Sequence, residues 1–328
     1  MVVMVTGGAG YIGSHMVLNL TDAGEKVVVL DNLVTGFDWA IDGRAVFEQG
    51  DAGDVDFVLG LIEKHAITEI VHFAGSIVVP ESVTNPLKYY GNNTATSRSL
   101  IEAAVKGGVK HFIFSSTAAV YGMTGLAPVV ETTPLNPMSP YGRSKLMTEM
   151  MLADVAAAHP MTYGVLRYFN VAGADPQGRS GQSSPTATHL IKVACQTALG
   201  QREKMDIFGT DFETPDGTGV RDYIHVTDLI AAHGLLLRHL RGGGENTTLN
   251  CAYGQGYSVR QVIETVRQVS GVDLRADEGP RRAGDPASIT ATGEKIRQLL
   301  GWVPQHDDLS EMVASAYAWE KHLMVRNR

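Results

Sequence analysis

The chain has 328 residues, 44% of them hydrophobic and 19% charged, with a formal net charge of -8. That length holds one large α/β body or two lobes with well-buried cores, and the acidic balance argues against nucleic acid or an anionic membrane as the main partner. No apolar run approaches the roughly 20 residues of a membrane span, Cys195 and Cys251 lack any metal spacing, and the first apolar run opens into a glycine loop, unlike a signal peptide, so a cytoplasmic protein that binds no metal is expected.

In chain order, Val2–Val5 reads as a short strand, and Thr6-Gly-Gly-Ala-Gly-Tyr-Ile-Gly13 leads into an amphipathic helix over 12–23. Gly7, Gly10 and Gly13 stand at the spacing of a dinucleotide turn. The first permits the tight turn, the second lets backbone approach a pyrophosphate, and the third lets helix pack on strand. A second strand, Lys26–Leu30, ends in Asp31. An acid at that strand end accepts from an adenosine ribose and repels a 2′-phosphate, so NAD is favoured over NADP.

Strand and helix signals then alternate. Ala45–Glu48 reads as a strand followed by Gly50-Asp51, and Asp54 caps a helix to His65. Glu69–Phe73 is a strand ending in Ala74-Gly75, a long helix runs from Pro86 to about Lys106, and Lys110–Ser115 is a strand with Ser116-Thr117 at its C-terminal end. After prolines 134, 137 and 140 a helix carries Tyr141 and Lys145 to about Ala158, and Thr162–Phe169 is a further strand. Gly173–Pro185 reads as a boundary. Beyond it come a helix from Ala187 to Leu199, a strand containing Ile207-Phe208, and Arg221–His225 leading into a helix to Leu240. A strand over 248–252 and helices near 258–270, 292–300 and 309–323 complete the chain. The alternation predicts an α/β fold, a Rossmann-type doubly wound parallel sheet over 1–172. A smaller C-terminal α/β substrate-binding domain follows over 173–328, with some later segments returning to the first domain.

Tyr141-Gly-Arg-Ser-Lys145 places a phenol and an ammonium one helical turn apart on one face. A cation roughly 5 Å away, at an effective dielectric of about 20, favours a phenolate by about 3 kcal/mol, or about two pKa units. That moves the phenol towards the pH where a general base works best. The eleven histidines show no ligand spacing, and His225 and His233 read as hydrogen-bonded scaffold.

These motifs, with His72-Phe-Ala-Gly75, Glu81-Ser82, Tyr89-Tyr90, Asn92-Asn93, Phe114-Ser-Ser-Thr117, Arg167-Tyr-Phe-Asn170, Gly217-Thr-Gly-Val-Arg-Asp-Tyr-Ile-His-Val226 and Pro280-Arg-Arg-Ala-Gly-Asp285, cover nearly the whole chain. The sequence resembles the extended short-chain dehydrogenase/reductase family, and within it the enzymes that invert carbon 4 of a UDP-hexose. The resemblance implies a trio of Thr117, Tyr141 and Lys145, a resident NAD that takes and returns hydrogen at carbon 4, and a UDP-glucose/UDP-galactose substrate pair. It carries NAD contacts to Gly7, Gly10, Tyr11, Ile12, Gly13, Asp31, Asn32, Asp51, Ala52, Phe73, Ala74, Gly75, Asn92, Ser115, Tyr141, Lys145 and Tyr168. It carries UDP-sugar contacts to Thr117, Tyr141, Asn170, His189, Leu190, Phe208, Arg221, Tyr223, Arg282 and Asp285. It also implies a homodimer that pairs the helices near 86–106 and 141–158.

Sugar-nucleotide 4,6-dehydratases and UDP-glucuronate decarboxylases share the first domain but place acids where this chain has Ala118 and Ala119. An NAD-sensing binding protein without activity typically lacks the tyrosine or lysine, and both are present. Three positions depart from the resemblance. Ile77 stands where relatives often carry a lysine, which predicts looser NAD unless another group compensates. His189 precedes Leu190 where some relatives have asparagine. Ile289 stands where others have tyrosine or cysteine behind the sugar, and its smaller bulk than tyrosine predicts turnover of UDP-N-acetylglucosamine.

Overall fold

The computed structural model describes residues 1–184, 188–282 and 285–326. The larger sheet is built from β1 (Val2–Thr6), β2 (Lys26–Asp31), β3 (Val46–Gln49), β4 (Glu69–His72), β5 (His111–Ser115) and β6 (Thr162–Tyr168). In chain order these alternate with α1 (Tyr11–Asp22), α2 (Val55–His65), α3 (Val79–Thr84), α4 (Pro86–Tyr89), α5 (Thr96–Lys106) and α6 (Pro140–Ala158). Then come β7 (Asn170–Ala172), α7 (Leu190–Ala198), β8 (Met205–Phe208), β9 (Val220–His225), α8 (Val226–Arg241), β10 (Thr247–Cys251), β11 (Gly256–Ser258), α9 (Val259–Ser270), β12 (Ala276–Gly279), β13 (Ser288–Ile289), α10 (Glu294–Leu300) and α11 (Leu309–Arg326).

The order across the larger sheet is β10-β6-β5-β4-β1-β2-β3, and every pairing is parallel. The strands are apolar throughout because both faces are covered. Val3, Val5, Val29, Val71, Ile113 and Leu249 face α1 and α8. The alternate residues Met4, Val28, Leu30, Ile70, Phe112 and Phe114 face α2, α5 and α6. The order in which strands are added reverses between β1 and β4, and an open α/β sheet binds ligands at the carboxyl ends of such a pair. Asp54 caps α2 by accepting from the Phe57 amide at 3.0 Å.

The second half is built on a smaller sheet, β11-β9-β13, with β7 paired to β9, and on a β8–β12 ribbon. Its core is Ile191, Ile207, Val262, Val266, Met312 and their neighbours. The strands β7, β11, β12 and β13 and helix α3 escaped the sequence reading because each is short. The start of the predicted helix at Ala187, Pro185 at the predicted boundary, and Ala283 and Gly284 of the arginine motif lie outside the described residues.

The long helix expected over 86–106 is three pieces. α4 and α5 are joined by a π-helical turn, Tyr90–Ala95, the kind of local widening often found at functional sites. Both cysteines are free and buried. Met123, Met147 and Met150 are exposed, so they do not pack in the core. Among the described residues no helix is long and apolar enough to cross a membrane.

Candidate active site

The turn after β1 has the shape its glycines predict. Gly7 lies at φ +72, and a Cβ there meets the Ala74 amide nitrogen at 2.6 Å. The turns following β1 and β4 therefore touch, and Ala74 and Gly75 sit beside the glycine loop. A Cβ at Gly13 meets the Gly7 carbonyl oxygen at 2.1 Å, so only glycine lets α1 seat on the turn. Gly10 caps α1 without a side-chain hydrogen bond, and the first turn carries no acid. The amides of Tyr11, Ile12 and Gly13 thus present an uncapped, positively polarised helix end, which fits a diphosphate.

Asp31 is buried at the end of β2, and its carboxylate accepts from Ala9 N at 3.0 Å and Leu33 N at 2.8 Å. It thereby ties the glycine loop to the segment after β2, where Leu33 is held at φ 59. Asn32 is exposed and accepts from the Val34 amide. Asp51 accepts from the Gly53 amide, beside buried Ala52. The Tyr11 hydroxyl donates to the Gly173 carbonyl at 2.6 Å, anchoring the start of the second half on the loop. This turn, uncapped helix end and buried acid have the shape that a dinucleotide fits.

Further along the same sheet edge, Ser115 ends β5 and its hydroxyl pairs with that of Tyr168 at 2.8 Å. The Phe73 ring lies 5.0 Å from that of His233, tilted by 44°, and His233 also reaches the Ser115 hydroxyl. His233 and His225 are both fully bonded scaffold. Ser139 caps α6 by accepting from the Gly142 amide, which fixes where the helix starts and hence where Tyr141 points. Tyr141 is half-buried, and Thr117 is the side chain that meets its phenol.

Here the structure corrects the electrostatic expectation. Lys145 was expected to draw the Tyr141 phenol down. Burial instead raises the phenol, and the Thr117 hydrogen bond opposes it only in part. The Lys145 ammonium donates to the Ser115 carbonyl at 3.1 Å and lies 4.9 Å from the Phe114 ring centre. Burial pushes it down to about 8, against the pull of Glu149. Its charge is directed at a carbonyl and a ring face instead of at the phenol.

Asn92 lies in the π-helical turn, is exposed, and donates to the Ser76 hydroxyl. Its neighbour Asn93, absent from the expected contacts, is the buried member of the pair. It accepts from Ser76 N at 2.7 Å and donates to Ser144 on α6, with its Oδ1 at the open face of Gly75. Ile77 is half exposed.

Of the second group of expected residues, Asn170, Arg221 and Tyr223 lie on the smaller sheet, Phe208 ends β8, and His189 and Leu190 stand at the start of α7. Asn170 follows Tyr168 by two residues, so the two groups are contiguous, and its side-chain amide donates to the Asp222 carbonyl. Arg221 approaches Asp285 at 3.5 Å, beside buried Tyr223 on β9. The Arg282 guanidinium lies 3.8 Å from the centre of the Phe208 ring. His189 precedes Leu190 at the start of α7, and its Nδ1 is buried without a hydrogen-bond partner. No group of three or more His, Cys, Asp or Glu that could hold a metal occurs among the described residues.

A dinucleotide cradle whose open edge carries a tyrosine, a lysine and a threonine defines a nucleotide-dependent enzyme of the Rossmann class. A model of the NAD dependent epimerase/dehydratase family matches residues 3–252, and the chain belongs to that family. It is 53% identical to the UDP-glucose 4-epimerase of Azospirillum brasilense, over 98% of this chain and 92% of that protein. It is similar to the crystal structure of the UDP-glucose 4-epimerase of Brucella ovis in complex with NAD, with TM-score 0.94, 40% identity and 97% of each chain covered. It is also similar to the UDP-Glc/GlcNAc 4-epimerase of Campylobacter jejuni, with TM-score 0.86, 47% identity and 98% and 99% of the two chains covered.

Proposed function

We propose that this chain interconverts UDP-glucose and UDP-galactose by inverting carbon 4, and that residues through about 172, with α8 and β10, form the NAD-holding body. NAD, when bound, supplies the acceptor and donor for the hydrogen at carbon 4. Gly7, Gly10 and the first turn of α1 hold its diphosphate, and Asp31 and Asn32 its adenosine ribose. Tyr141 takes the proton from the 4-hydroxyl and returns it. Thr117 holds the same oxygen, and Lys145 steadies the negative charge that forms there. The 4-keto sugar presents its other face while Asn170, His189, Leu190, Phe208, Arg221, Tyr223, Arg282 and Asp285 hold the uridine diphosphate. Paired arginines suit that task through forked, charge-assisted hydrogen bonds. A ligand reaching the Phe208 face displaces Arg282 from it, which frees the guanidinium for a phosphate.

The observation that carries this reading is the Tyr141–Thr117 pair beside Lys145 with only Ala118 and Ala119 following it. A dehydratase or decarboxylase needs a further acid or base there, and methyl side chains move no protons. Exposed Met147 and Met150, with an apolar groove between α5 and α6 lined by Ile101, Val105, Met151 and Val155, support a homodimer through those helices. Two buried free thiols fit a reducing, cytoplasmic setting. Ile289 ends β13 next to Arg221 in register, which supports acceptance of UDP-N-acetylglucosamine.

The test incubates purified protein with UDP-galactose and no added NAD. The mixture is heat-quenched, and UDP-glucose is then measured with UDP-glucose dehydrogenase. UDP-glucose is the expected product; a 4-keto-6-deoxy sugar, or no conversion after NAD supplementation, overturns the reading. Parallel incubation with UDP-N-acetylglucosamine is expected to yield its 4-epimer.

A further inference from the structure

One turn beyond Lys145, and absent from every contact assigned above, Glu149 is buried on the inner face of α6. Its carboxylate accepts from Arg167 Nε at 3.1 and 3.2 Å, from Arg167 Nη2 at 2.5 Å, and from the Ser116 hydroxyl. Arg167, also buried, donates through Nη1 to the Tyr121 hydroxyl at 3.1 Å. Tyr121 donates in turn to Asn250 on β10 at 2.6 Å. One carboxylate is thus bonded to the residue before Thr117 and to the residue before Tyr168, from the helix that carries Tyr141 and Lys145.

Stability alone is a weak reason for such a pair, because apolar residues of the same volume often replace a buried ion pair without loss. The surroundings of Lys145 give a stronger one. His72 on β4 feels the charge of this ammonium, the Tyr141 phenol stands one turn earlier on α6, and Ser115, whose carbonyl the ammonium holds, bonds Tyr168 on β6 and His233 on α8 through its hydroxyl. Burial holds His72 and His233 neutral, down to about 3 and about 4, and raises both phenols. Glu149 is the one group that draws the ammonium back up against burial.

We propose that Glu149, clamped by Arg167, is a positioning residue: its carboxylate keeps the Lys145 ammonium charged and, through Ser116, sets Thr117 against Tyr141. The proposal rests on the roles assigned to Tyr141, Lys145 and Thr117 above. Arg167 makes the arrangement possible by giving the carboxylate a counter-charge that does not compete for Lys145, since the guanidinium lies on the Tyr121 side, 5.1 Å from that ring. Lys145 then remains free to hold the Ser115 carbonyl instead of collapsing into an ion pair with Glu149.

The test compares NAD-loaded wild type, Glu149→Gln, and the double variant Glu149→Gln/Arg167→Met, which leaves no buried charge unpaired. The 13Cε resonance of Lys145, assigned through Lys145→Arg, is titrated, and kcat/KM for UDP-galactose is followed from pH 6 to 10. Loss of the neighbouring anion is expected to lower the Lys145 midpoint by about one unit in both variants. The alkaline limb of kcat/KM is expected to move down with it. An unchanged midpoint, with only melting temperature altered, overturns the proposal and leaves Glu149 a structural residue. A shifted midpoint in a wild type that does not turn over UDP-galactose upholds the charge-setting role and overturns the functional reading instead.

Discussion

Replacing Asp31 by asparagine separates two tasks that one carboxylate performs. Its two oxygens accept from Ala9 N and Leu33 N, so it holds the glycine loop and the following segment together before any cofactor is present. An asparagine serves only one of those amides and turns its own NH2 towards the other. A buried donor left so costs about 1–3 kcal/mol. Leu33 worsens the balance, because its left-handed conformation (φ 59) costs a non-glycine residue about 1–2 kcal/mol and the Asp31 bond helps to hold it. The affinity for NAD is therefore expected to fall by roughly tenfold to a hundredfold. The charge term acts on NADP alone. A 2′-phosphate of about two negative charges, roughly 5 Å from the carboxylate at an effective dielectric of about 20, is repelled by about 6 kcal/mol. That is an upper figure, which salt and relaxation reduce. Removing the charge is expected to raise the affinity for NADP relative to NAD by about a hundredfold, within a ceiling of about ten-thousandfold. The assay is fluorescence titration of cofactor-stripped protein with NADH and NADPH, at low and at physiological salt. An NADH-to-NADPH ratio that does not move refutes the electrostatic account. Unchanged NADH affinity refutes the mooring account. Adding Leu33→Gly to the asparagine variant is expected to recover part of the NADH affinity by relieving the left-handed residue.

Tyr141→Phe is expected to fold, retain NAD and lose a hundredfold to ten-thousandfold in kcat, the usual worth of a positioned base; retention of more than a tenth of the activity counts against the phenol as the proton acceptor. Gly13→Ala drives a Cβ to 2.1 Å from the Gly7 carbonyl oxygen, so about 1–3 kcal/mol of stability and most of the thermal stabilisation by NAD are expected to go; an unaltered rise in melting temperature on adding NAD contradicts this. Four buried histidines set an acid limit: burial lowers His15 and His233 to about 4 and His72 and His225 to about 3. The unfolded chain takes up these protons near 6.5, so each contribution is full above that pH and is lost as pH falls towards the folded value, about 1.4 kcal/mol each at pH 5.5. Urea unfolding is expected to show a loss of about 5–6 kcal/mol between pH 7.5 and 5.5, and a loss under about 2 kcal/mol refutes it.

The larger sheet was legible because its rules are local. Short apolar runs, the first four closed by a glycine or an acid, alternating with helical periods leave few topologies, and Gly7, Gly13 and Asp31 announce the cradle by chemistry that no other residue supplies there. The smaller sheet was not legible, because Asn170–Ala172 and Ser288–Ile289 are strands only by virtue of pairing with β9. Nothing in a stretch of two or three residues carries a period. The Asn92-Asn93 pair was legible as a marker and not as a geometry. A π-helical turn rotates successive side chains differently from an α-helix, and this turn buries Asn93 against Ser76 and Ser144 while Asn92 faces solvent.

The Tyr141–Lys145 spacing exposes a more general limit of reading charge from a sequence. Spacing gives the distance between two groups along a helix, and the distance gives a Coulomb energy only after a dielectric is chosen. The structure shows that burying the pair changes both sides of that calculation. The phenol is raised by loss of water, the ammonium is lowered by the same loss, and neither shift is caused by the other member of the pair. A site of this kind needs a charge from outside the pair to restore the ammonium, and the residue in reach is Glu149, on the next turn of the same helix. Its side chain looks like one more acid in a helical run, Tyr141 to Ala158, and nothing in that run distinguishes it from exposed Asp154. What distinguishes it lies eighteen residues on, in Arg167, near the end of a strand, whose partner the sequence does not name. The catalytic residues are written locally; the field that makes them work is written across β5, α6, β6 and β10, and is legible only once those elements are brought together.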